Sequence, residues 1–287
     1  MSATPLKGVR VLDLSQILSG PFCTMLLADM GAEVVKVERP GHGDPARRLG
    51  PLVDGDSAYF MSVNRGKQSI TLDLASAEGQ HAVLALALHF DVLVENFVPG
   101  TMERWGLGYP AIQERNPALV YASISGFGQD GPYAQRPALD IIVQAMGGLM
   151  SVTGEPGRPP VRPGASLGDS VAGVFAALAI VSALWERHAT GQGQHIDTSM
   201  LDCQVTMMEN AFSRYFATGE PPGPLGSRHP AATPFQAFAA EDGYFVVALL
   251  SEAPKAWSAF CAAIGRPDLA ADKRFAGNRQ RMEHLDA

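Results

Sequence analysis

The segment around Asp169 carries the clearest chemical signal in this sequence. A loop rich in Pro and Gly covers residues 154–168, and an apolar stretch of helical character follows over residues 170–185. The unpaired N–H groups and the dipole at a helix N-terminus stabilise negative charge, so we expect this carboxylate to stay ionised. An ionised carboxylate in a sheltered site can act as a nucleophile.

The same residue also fits a purely structural role. Ser166 and Asp169 match the pattern S-x-x-D of a capping box, which only starts a helix. Capping residues are far commoner than nucleophiles, so this segment taken alone favours capping over catalysis. The rest of the chain has to decide between the two interpretations.

Other polar residues stand where predicted strands end. Arg39 follows one strand, Asn96 ends another, and Arg104 lies on the short helix after it. On a parallel sheet these three side chains converge on one rim, and arginines there suit phosphate groups, which accept bidentate hydrogen bonds. The alternative is that each is a solvated surface charge. Further polar or aromatic residues in comparable positions are Arg65, Lys67, Phe97 and Arg136.

The elements that position these residues alternate between strand and helix. Residues 8–37 predict a strand, a helix with Pro21 in its first turn and Gly31 as its C-cap, and a second strand. This alternation predicts an α/β fold with an open, mostly parallel, Rossmann-like sheet and helices on both faces. It continues with strands at 69–74, 91–96 and 119–125, and with helices at 76–90, 101–105, 110–115, 139–150 and 170–188, the last two expected to be long and buried.

The composition changes in the last quarter of the chain. Residues 218–230 are rich in Pro and Gly and predict a linker. After it come a β-like segment at 243–250 and a helix at 254–264. We expect a large ligand-binding α/β domain at 1–217 and the start of a smaller α+β domain at 231–287, which has too few elements for a complete core.

Composition excludes several classes of function. The formal net charge of −7 argues against nucleic-acid binding, and the apolar runs look too short to span a membrane. Cys23, Cys203 and Cys261 are widely spaced, which is typical of a reducing compartment. With no signal peptide in view, we expect a cytoplasmic protein.

Common cofactor and metal motifs are absent. The sequence contains no P-loop, and residues 15–21 read Ser-Gln-Ile-Leu-Ser-Gly-Pro where a Rossmann fold would carry G-x-G-x-x-G. The patterns H-E-x-x-H and C-x-x-C are also missing, so we expect neither a metal site nor a tightly bound cofactor. The turn at 15–21 still opens at the carboxyl end of a strand, where α/β sheets bind ligands.

Taken together, a set of segments resembles the family III CoA-transferases, the superfamily of formyl-CoA:oxalate and carnitine CoA-transferases. The resemblance covers nearly all of residues 5–287, and the order of its motifs is specific to the family. The segments that carry it are residues 6–15, 31–40 with Gly43-Asp44, 64–74, 95–100, 105–109, 123–133, Gly168-Asp169-Ser170, 190–194 and 199–202.

The resemblance implies a role for Asp169 and favours catalysis over capping. The matching aspartate attacks an acyl-CoA thioester to form a mixed anhydride, returning CoA gives an aspartyl-CoA thioester, and an acceptor carboxylate then takes over the CoA. Nearby helix-terminal N–H groups would stabilise the oxyanion. CoA and its thioesters are substrates, and the residues that match CoA-binding positions are Gln16, Ile17, Arg39, Lys67, Asn96, Phe97, Arg104 and Arg136.

Donor and acceptor are predicted from one motif. The form Gly-Phe-Gly-Gln-Asp-Gly-Pro-Tyr at residues 126–133 resembles the branch that uses succinyl-CoA and dicarboxylic acids. Arg228 and His229 are candidates for meeting a substrate carboxylate, and a surface turn is at least as good an interpretation of them.

Two alternatives remain open. The superfamily contains 2-methylacyl-CoA racemases, which use a His/Asp pair, but no histidine stands between His89 and His188. Proton transfer at a substrate α-carbon needs a second base, so we rank this function second. Family members usually continue beyond the equivalent of Ala287 and form interlaced homodimers. A truncated, non-catalytic CoA-binding protein is therefore the third hypothesis.

Overall fold

The chain forms two compact units in a computed structural model that describes residues 4–249 and 254–287. The first unit comprises the residues up to Met150 together with Arg162–Gly219, and the second comprises Ser151–Val161 and Glu220–Ala287. Residues 151–161 group with the second unit, whereas the sequence analysis places them within the large domain.

The first unit is built on a six-stranded sheet in which every neighbouring pair is parallel. The predicted α/β class with a parallel sheet is confirmed. The strand order is β5-β2-β1-β6-β7-β8, and a two-stranded antiparallel ribbon, β3-β4, lies outside it. The strands are β1 (Arg10–Asp13), β2 (Glu33–Glu38), β3 (Leu52–Val53), β4 (Asp56–Ser57), β5 (Lys67–Thr71), β6 (Val92–Glu95), β7 (Val120–Ser125) and β8 (His195–Ser199).

Alternate residues of the sheet enter two separate apolar cores. On β6, Val92 and Val94 join the core that includes Leu27 and Ile180, while Leu93 belongs to the core on the opposite face. Side chains of a strand alternate between faces, and a sheet buried on both faces therefore needs apolar residues at nearly every position. Helices cover both faces, as predicted.

The helix predicted over 139–150 is interrupted. It ends at Met146, and a short helix follows at Leu149–Val152, because Gly148 takes a φ of +88° that a continuous helix cannot include. The segment is also less buried than predicted, since Leu139 is 72% exposed. The helices are α1 (Ser19–Asp29), α2 (Ala58–Asn64), α3 (Ala77–Ala87), α4 (Thr101–Arg104), α5 (Tyr109–Arg115), α6 (Asp140–Met146), α7 (Leu149–Val152), α8 (Leu167–Thr190), α9 (Met200–Thr206) and α10 (Glu209–Thr218).

The longest helix, α8, packs closely against α1. A Cβ added at Gly173 would lie 2.8 Å from Ser19 O, so only glycine permits this approach of the two backbones. By length and composition α8 is apolar enough to cross a membrane, contrary to the expectation that the apolar runs are too short. Its buried side, which includes Ala176 and Ile180, joins one core of the sheet, and the opposite side leaves Leu178 exposed.

The second unit contains an antiparallel hairpin of β9 (Phe235–Ala240) and β10 (Gly243–Ala248), followed by α11 (Pro254–Ala263) and α12 (Asn278–Glu283). The predicted strand over 243–250 therefore ends at Ala248, and Leu250 lies outside the described residues. Sequence analysis missed β9, the partner strand that gives this hairpin its backbone hydrogen bonds.

Candidate active site

The strand order creates a topological switch point between β1 and β6. The chain leaves these neighbouring strands toward opposite edges of the sheet, which opens a crevice at their carboxyl ends. Asn96 Oδ1 accepts the Gln16 N–H at 2.8 Å, and Asn96 Nδ2 donates to Gln16 O at 2.8 Å. The loops that follow β1 and β6 are therefore tied to each other at the rim of the crevice.

The loop after β1 is held in a strained conformation. Ile17 has a φ of +68°, which is rare for a β-branched residue. Its N–H donates to Asp44 Oδ1 at 3.1 Å, and Lys36 Nζ donates to Ser15 O at 2.6 Å. A backbone conformation of this kind persists only where its surroundings over-determine it, which indicates that the loop is fixed before a ligand arrives.

A buried network of two lysines and two aspartates packs against this loop and stabilises it. Lys36 Nζ lies 2.9 Å from Asp44 Oδ2, and Lys67 Nζ lies 3.0 Å from Asp13 Oδ2. The four side chains are at most 2% exposed. Burial alone would raise the pKa of Asp13, but Lys36 and Lys67 hold it well below its ordinary range. Asp13 is therefore ionised between the two lysines.

The crevice contains a first cavity of about 360 Å³ beside the ends of β1 and β2. It combines apolar walls with one cationic side chain, that of the exposed Arg39. Phe97 and Trp105 form an edge-to-face pair in the wall, with ring centroids 5.2 Å apart. The remaining lining residues are Leu14, Ser15, Gln16, Val37, Glu38, Gly43, Asp44, Leu72, Asp73, Leu74 and Ala75.

One acidic wall residue of this cavity is already paired. Arg47 binds Glu38 through two hydrogen bonds, of 2.6 and 2.7 Å. Burial alone would raise the pKa of Glu38, but hydrogen bonds from Arg47, from Ser69 and from the Asp44 N–H lower it to about 2. The charge of Glu38 is thus neutralised within the wall, and Arg39 is the cationic residue among those that line this cavity.

A second cavity of about 380 Å³ adjoins the first and contains Asp169. Gln16 and Phe97 line both cavities, so the two spaces meet at these residues. The two cavities together extend from the edge of β2 to the N-terminus of α8. The other residues that line the second cavity are Ile17, Leu18, Ser19, Asn96, Val98, Pro99, Ile124, Ser125, Gly126, Arg136, Pro137, Ala138, Leu139, Asp140 and Met200.

The start of α8 is organised by Asp140 and not by the predicted capping box. Ser166 makes no side-chain cap, and its Oγ accepts a hydrogen bond from Arg162. Asp140 Oδ1 instead accepts the Gly168 N–H at 2.8 Å, and its Oδ2 accepts Arg162 Nη2 at 2.7 Å. A Cβ at Gly168 would lie 2.5 Å from Val143, so glycine is required next to Asp169.

Three backbone N–H groups at this helix end already have hydrogen-bond acceptors. The N–H groups of Leu167, Gly168 and Ser170 donate to Ala165 O, Asp140 Oδ1 and Ser166 O, respectively. These three groups hold the loop against the helix and are not free to stabilise an oxyanion.

The electrostatic setting of Asp169 also differs from expectation. Burial and the charge of Asp140 raise the pKa of Asp169 to about 7, against a smaller lowering by Arg162. Burial thus acts against the expectation that this carboxylate stays ionised, since a pKa of about 7 leaves it partly protonated at neutral pH. Burial and then the charge of Asp169 also raise the pKa of Tyr59, so this phenol stays neutral.

The structure brings most of the predicted site residues together. Six of the nine line the second cavity, and Arg39 lines the first. The exposed Arg136 reaches the second cavity and also lies over the Tyr133 ring at 4.1 Å. The six are Asp169, Gln16, Ile17, Asn96, Phe97 and Arg136.

Two predicted ligand residues line neither cavity. The ammonium group of Lys67 donates to Asp13, to Pro21 O and to Asn64, so it stabilises the fold instead of facing a phosphate. The exposed Arg104 donates to Thr101 Oγ1 at 2.8 Å. For Lys67 the sequence prediction is corrected, because a buried cation with three acceptors has no donor to spare.

Three residues connected with Asp169 are not predicted from the sequence: Asp140 and Met200, which line the same cavity, and Tyr59, whose pKa burial and then the charge of Asp169 raise. Tyr59 lies on α2, which is not predicted, and Asp140 resembles an ordinary acidic residue in a helix's first turn. The segment Ser199-Met200-Leu201-Asp202 matches a family motif, but the motif does not indicate that Met200 lines the site. Long-range contacts give these residues their roles, and local spacing contains no signal of such contacts.

Comparison with known proteins defines the class. The family model for CoA-transferase family III matches residues 6–287. The acetyl-CoA:oxalate CoA-transferase of Acetobacter aceti is 47% identical over 285 residues, which cover 99% of this chain and 72% of that protein. The succinyl-CoA:mesaconate CoA-transferase of Haloarcula hispanica is 46% identical over 283 residues, which cover 96% and 71%.

A solved structure of a related protein has the same fold. The crystal structure of a CAIB/BAIF family protein from Brucella suis superposes with a TM-score of 0.88 and is 41% identical. The match covers 99% of this chain and 76% of that one. This chain belongs to CoA-transferase family III and is a CoA-transferase, which confirms the resemblance read from its motifs.

Proposed function

We propose that the protein transfers CoA from succinyl-CoA or a similar acyl-CoA to a dicarboxylic acid, with Asp169 as the nucleophile. The observation that supports this most strongly is the position of Asp169 in a cavity that adjoins a second one at Gln16 and Phe97. A long ligand with a nucleotide at one end and a thioester at the other matches two joined cavities of this size.

Each cavity suits one end of an acyl-CoA. The apolar walls and Arg39 of the first cavity suit a purine ring and phosphate groups. In the second cavity the thioester would lie beside Asp169, and Arg136 supplies a positive charge for a carboxylate on the acyl chain. Both relatives described above are named for dicarboxylic acceptors, oxalate and mesaconate, which supports the same class here.

The first half of the proposed reaction loads CoA onto the protein. A carboxylate oxygen of Asp169 attacks the thioester carbon, the C–S bond breaks, and CoA leaves as a thiolate from a mixed anhydride. The thiolate then attacks the Asp169 carbonyl carbon of the anhydride. The donor acid departs as a carboxylate, and an aspartyl-CoA thioester remains.

The second half repeats these steps with the acceptor. An acceptor carboxylate attacks the aspartyl-CoA carbon and releases the thiolate, which attacks the acceptor's carbon in the new anhydride. The acceptor leaves as its CoA thioester and Asp169 regains its carboxylate. The free energy of the thioester is retained only if water is excluded while the intermediates exist.

The mechanism is tested by mass spectrometry of the intact protein after incubation with succinyl-CoA and trapping with hydroxylamine. A hydroxamate on the peptide that carries Asp169 is the expected result. Absence of the adduct while CoA binding persists would overturn the nucleophile. Exchange of the α-proton of a 2-methylacyl-CoA would then test the racemase alternative, which lacks support here because no lining residue of the second cavity is a histidine.

The raised pKa of Asp169 predicts a distinct pH dependence. Only the ionised carboxylate attacks, so the rate of adduct formation should fall as the pH drops through about 7. The variant Asp140→Asn keeps an oxygen for the Gly168 N–H but removes the repulsive charge. Its pH profile should therefore move to lower pH, because the pKa of Asp169 falls.

Rapid-quench measurement of adduct formation from about pH 5 to about pH 9 resolves this shift. The control is Asp202→Asn, which removes an exposed carboxylate from the first turn of α9. Identical profiles for Asp140→Asn and the parent protein would show that Asp140 does not act on Asp169.

Arg39 is predicted to act in binding. The variant Arg39→Ala should weaken CoA binding about tenfold to a hundredfold, the range expected for a hydrogen bond to a charged group, with a much smaller effect on kcat. Titration calorimetry with CoA measures the affinity, and Arg115→Ala, at an exposed position in α5, is the control. Equal affinities would remove Arg39 from the phosphate site.

A further inference from the structure

Two buried glutamines hold the backbone that leads into Asp169. Gln204 lies on α9, and its Nε2 donates to Leu167 O at 3.2 Å. Gln144 lies on α6, and its Nε2 donates to Asp140 Oδ2 at 2.8 Å and more weakly to Ala165 O at 3.4 Å. Both glutamines are completely buried, and neither lines the cavity that contains Asp169.

We propose that Gln204 and Gln144 are positioning residues for CoA transfer, which fix the backbone that carries Asp169. The inference rests on the proposed function of Asp169 as the nucleophile. Leu167 stands two positions before Asp169, so its carbonyl and the aspartate side chain move together. Rates of group transfer depend steeply on the placement of the attacking atom, which makes this anchoring relevant to chemistry.

Fold stability does not explain these two amides. The Oε1 atoms of Gln144 and Gln204 have no hydrogen-bond partner within the described parts of the chain. A buried, unpaired oxygen destabilises a protein, and an apolar side chain of similar shape would avoid that cost. What the glutamines contribute is their donor half. Gln204 donates to Leu167 O at the start of α8, and Gln144 donates to Asp140, which in turn accepts the Gly168 N–H.

The carbonyl groups that accept these hydrogen bonds also have other donors. Ala165 O already accepts the Leu167 N–H at 3.0 Å. Leu167 is the first residue of α8, where a carbonyl accepts the N–H four residues further on. Loss of either glutamine donor thus leaves no buried carbonyl orphaned, and the bonds serve to orient the segment.

The surrounding packing keeps Gln204 in place and connects it to the cavity. A Cβ at Gly147, which follows α6, would lie 2.8 Å from Gln204 Cβ, so the two segments fit tightly. Met200 stands one turn before Gln204 on α9 and lines the cavity beside Asp169. One short helix therefore contributes both a wall of the cavity and an anchor for the nucleophile.

The test uses the variants Gln204→Met and Gln144→Met, which keep volume and remove the donor. We expect kcat to fall about tenfold to a hundredfold, while KM for the acyl-CoA stays within about twofold. The thermal midpoint should be unchanged or higher, because the unpaired oxygen is gone. A merely structural role predicts the opposite pattern, a lower midpoint with normal turnover.

The control is Asn116→Leu, since Asn116 also donates from a side-chain amide to backbone carbonyls, those of Ala87 and Phe90. It precedes β7, at the end of the sheet opposite the site, so this variant should lose stability and keep its kcat. Unchanged kcat in both glutamine variants, or a loss of kcat that only follows a loss of folded protein, would overturn the proposal.

Trapping with hydroxylamine separates this proposal from the mechanism on which it rests. If the parent protein forms the Asp169 adduct and the glutamine variants form it at the parental rate, positioning by the glutamines is refuted while the nucleophile stands. If the parent protein forms no adduct at Asp169, the nucleophile itself is refuted, and the positioning role with it. Slower adduct formation in the variants supports both.

Discussion

Replacement of Asp169 by asparagine should abolish CoA transfer, with a loss of at least about a thousandfold in kcat. The amide matches the carboxyl group in size, so the second cavity and its junction with the first at Gln16 and Phe97 should persist. It has no anionic oxygen to attack a thioester carbon, and no anhydride can form. CoA should still bind, because the residues of the first cavity are unchanged.

At alkaline pH the same variant should be more stable than the parent protein. The folded-state pKa of Asp169, about 7, lies above its ordinary value of 3.8. An acid with a raised pKa favours folding in its neutral form, and this contribution is lost as the pH rises from 3.8 through about 7. Asparagine is neutral throughout, so Asp169→Asn avoids that loss. Urea unfolding at pH 8 and at pH 5 measures the difference.

Asp202→Asn again serves as the control, because it removes a first-turn carboxylate that is exposed and outside both cavities. It should keep its transfer rate and its pH dependence of stability. Transfer by Asp169→Asn at a rate near that of the parent protein would contradict the mechanism. Lost transfer together with lost CoA binding would instead indicate a disrupted site.

The parts of the fold that sequence predicted are those with strong local patterns. Strands β1, β2, β6 and β7 are short apolar runs bounded by turn residues, and their alternation with helices is enough to predict a parallel sheet. The edge strand β8 was missed because its sequence, His-Ile-Asp-Thr-Ser, alternates polar and apolar residues over only five positions. Pairing with β7 makes it a strand, and that pairing is not a local property.

The candidate site likewise has parts that a local sequence pattern predicts and parts that only long-range contacts determine. Asp169 was found because a loop rich in Gly and Pro before an apolar helix is a local pattern, and family motifs added the residues at strand ends. The electrostatics of the site were not predictable from local pattern. Burial, and after it the charge of Asp140 on α6, raise the pKa of Asp169, whereas the helix N-terminus is expected to lower it. Only the folded chain brings these two carboxylates together.

Lys67 illustrates why charge and motif position are insufficient. Its place before the strand predicted at 69–74 and its family match both predict contact with phosphate, and a solvated surface position is the alternative. The structure shows neither, because Asp13 lies on β1 and needs a counter-charge once it is buried. A lysine near a ligand loop can therefore be required for the geometry of that loop without touching the ligand.

Lys36 carries the largest predicted effect on stability. The variant Lys36→Met removes one of two cations from the buried network and leaves the negative charges of Asp13 and Asp44 in excess. We expect a loss of about 3–5 kcal/mol in the free energy of unfolding, the range for breaking a buried ion pair from one side. Ser15 O also loses its donor, so CoA affinity should fall together with stability.

The matched control is Arg65→Met, which breaks an ion pair with Asp29 in which both partners are largely exposed. That change should cost no more than about 1 kcal/mol, because water already screens the pair. The pH dependence of stability distinguishes Lys36→Met from Arg65→Met. Loss of Lys36 removes the largest of the effects that lower the pKa of Asp13, so this pKa should be higher in Lys36→Met than in the parent protein. The deficit in stability should therefore shrink as the pH falls and the carboxyl group becomes neutral. Equal stabilities of Lys36→Met and Arg65→Met across this range would contradict an ionised Asp13 beneath the ligand loop.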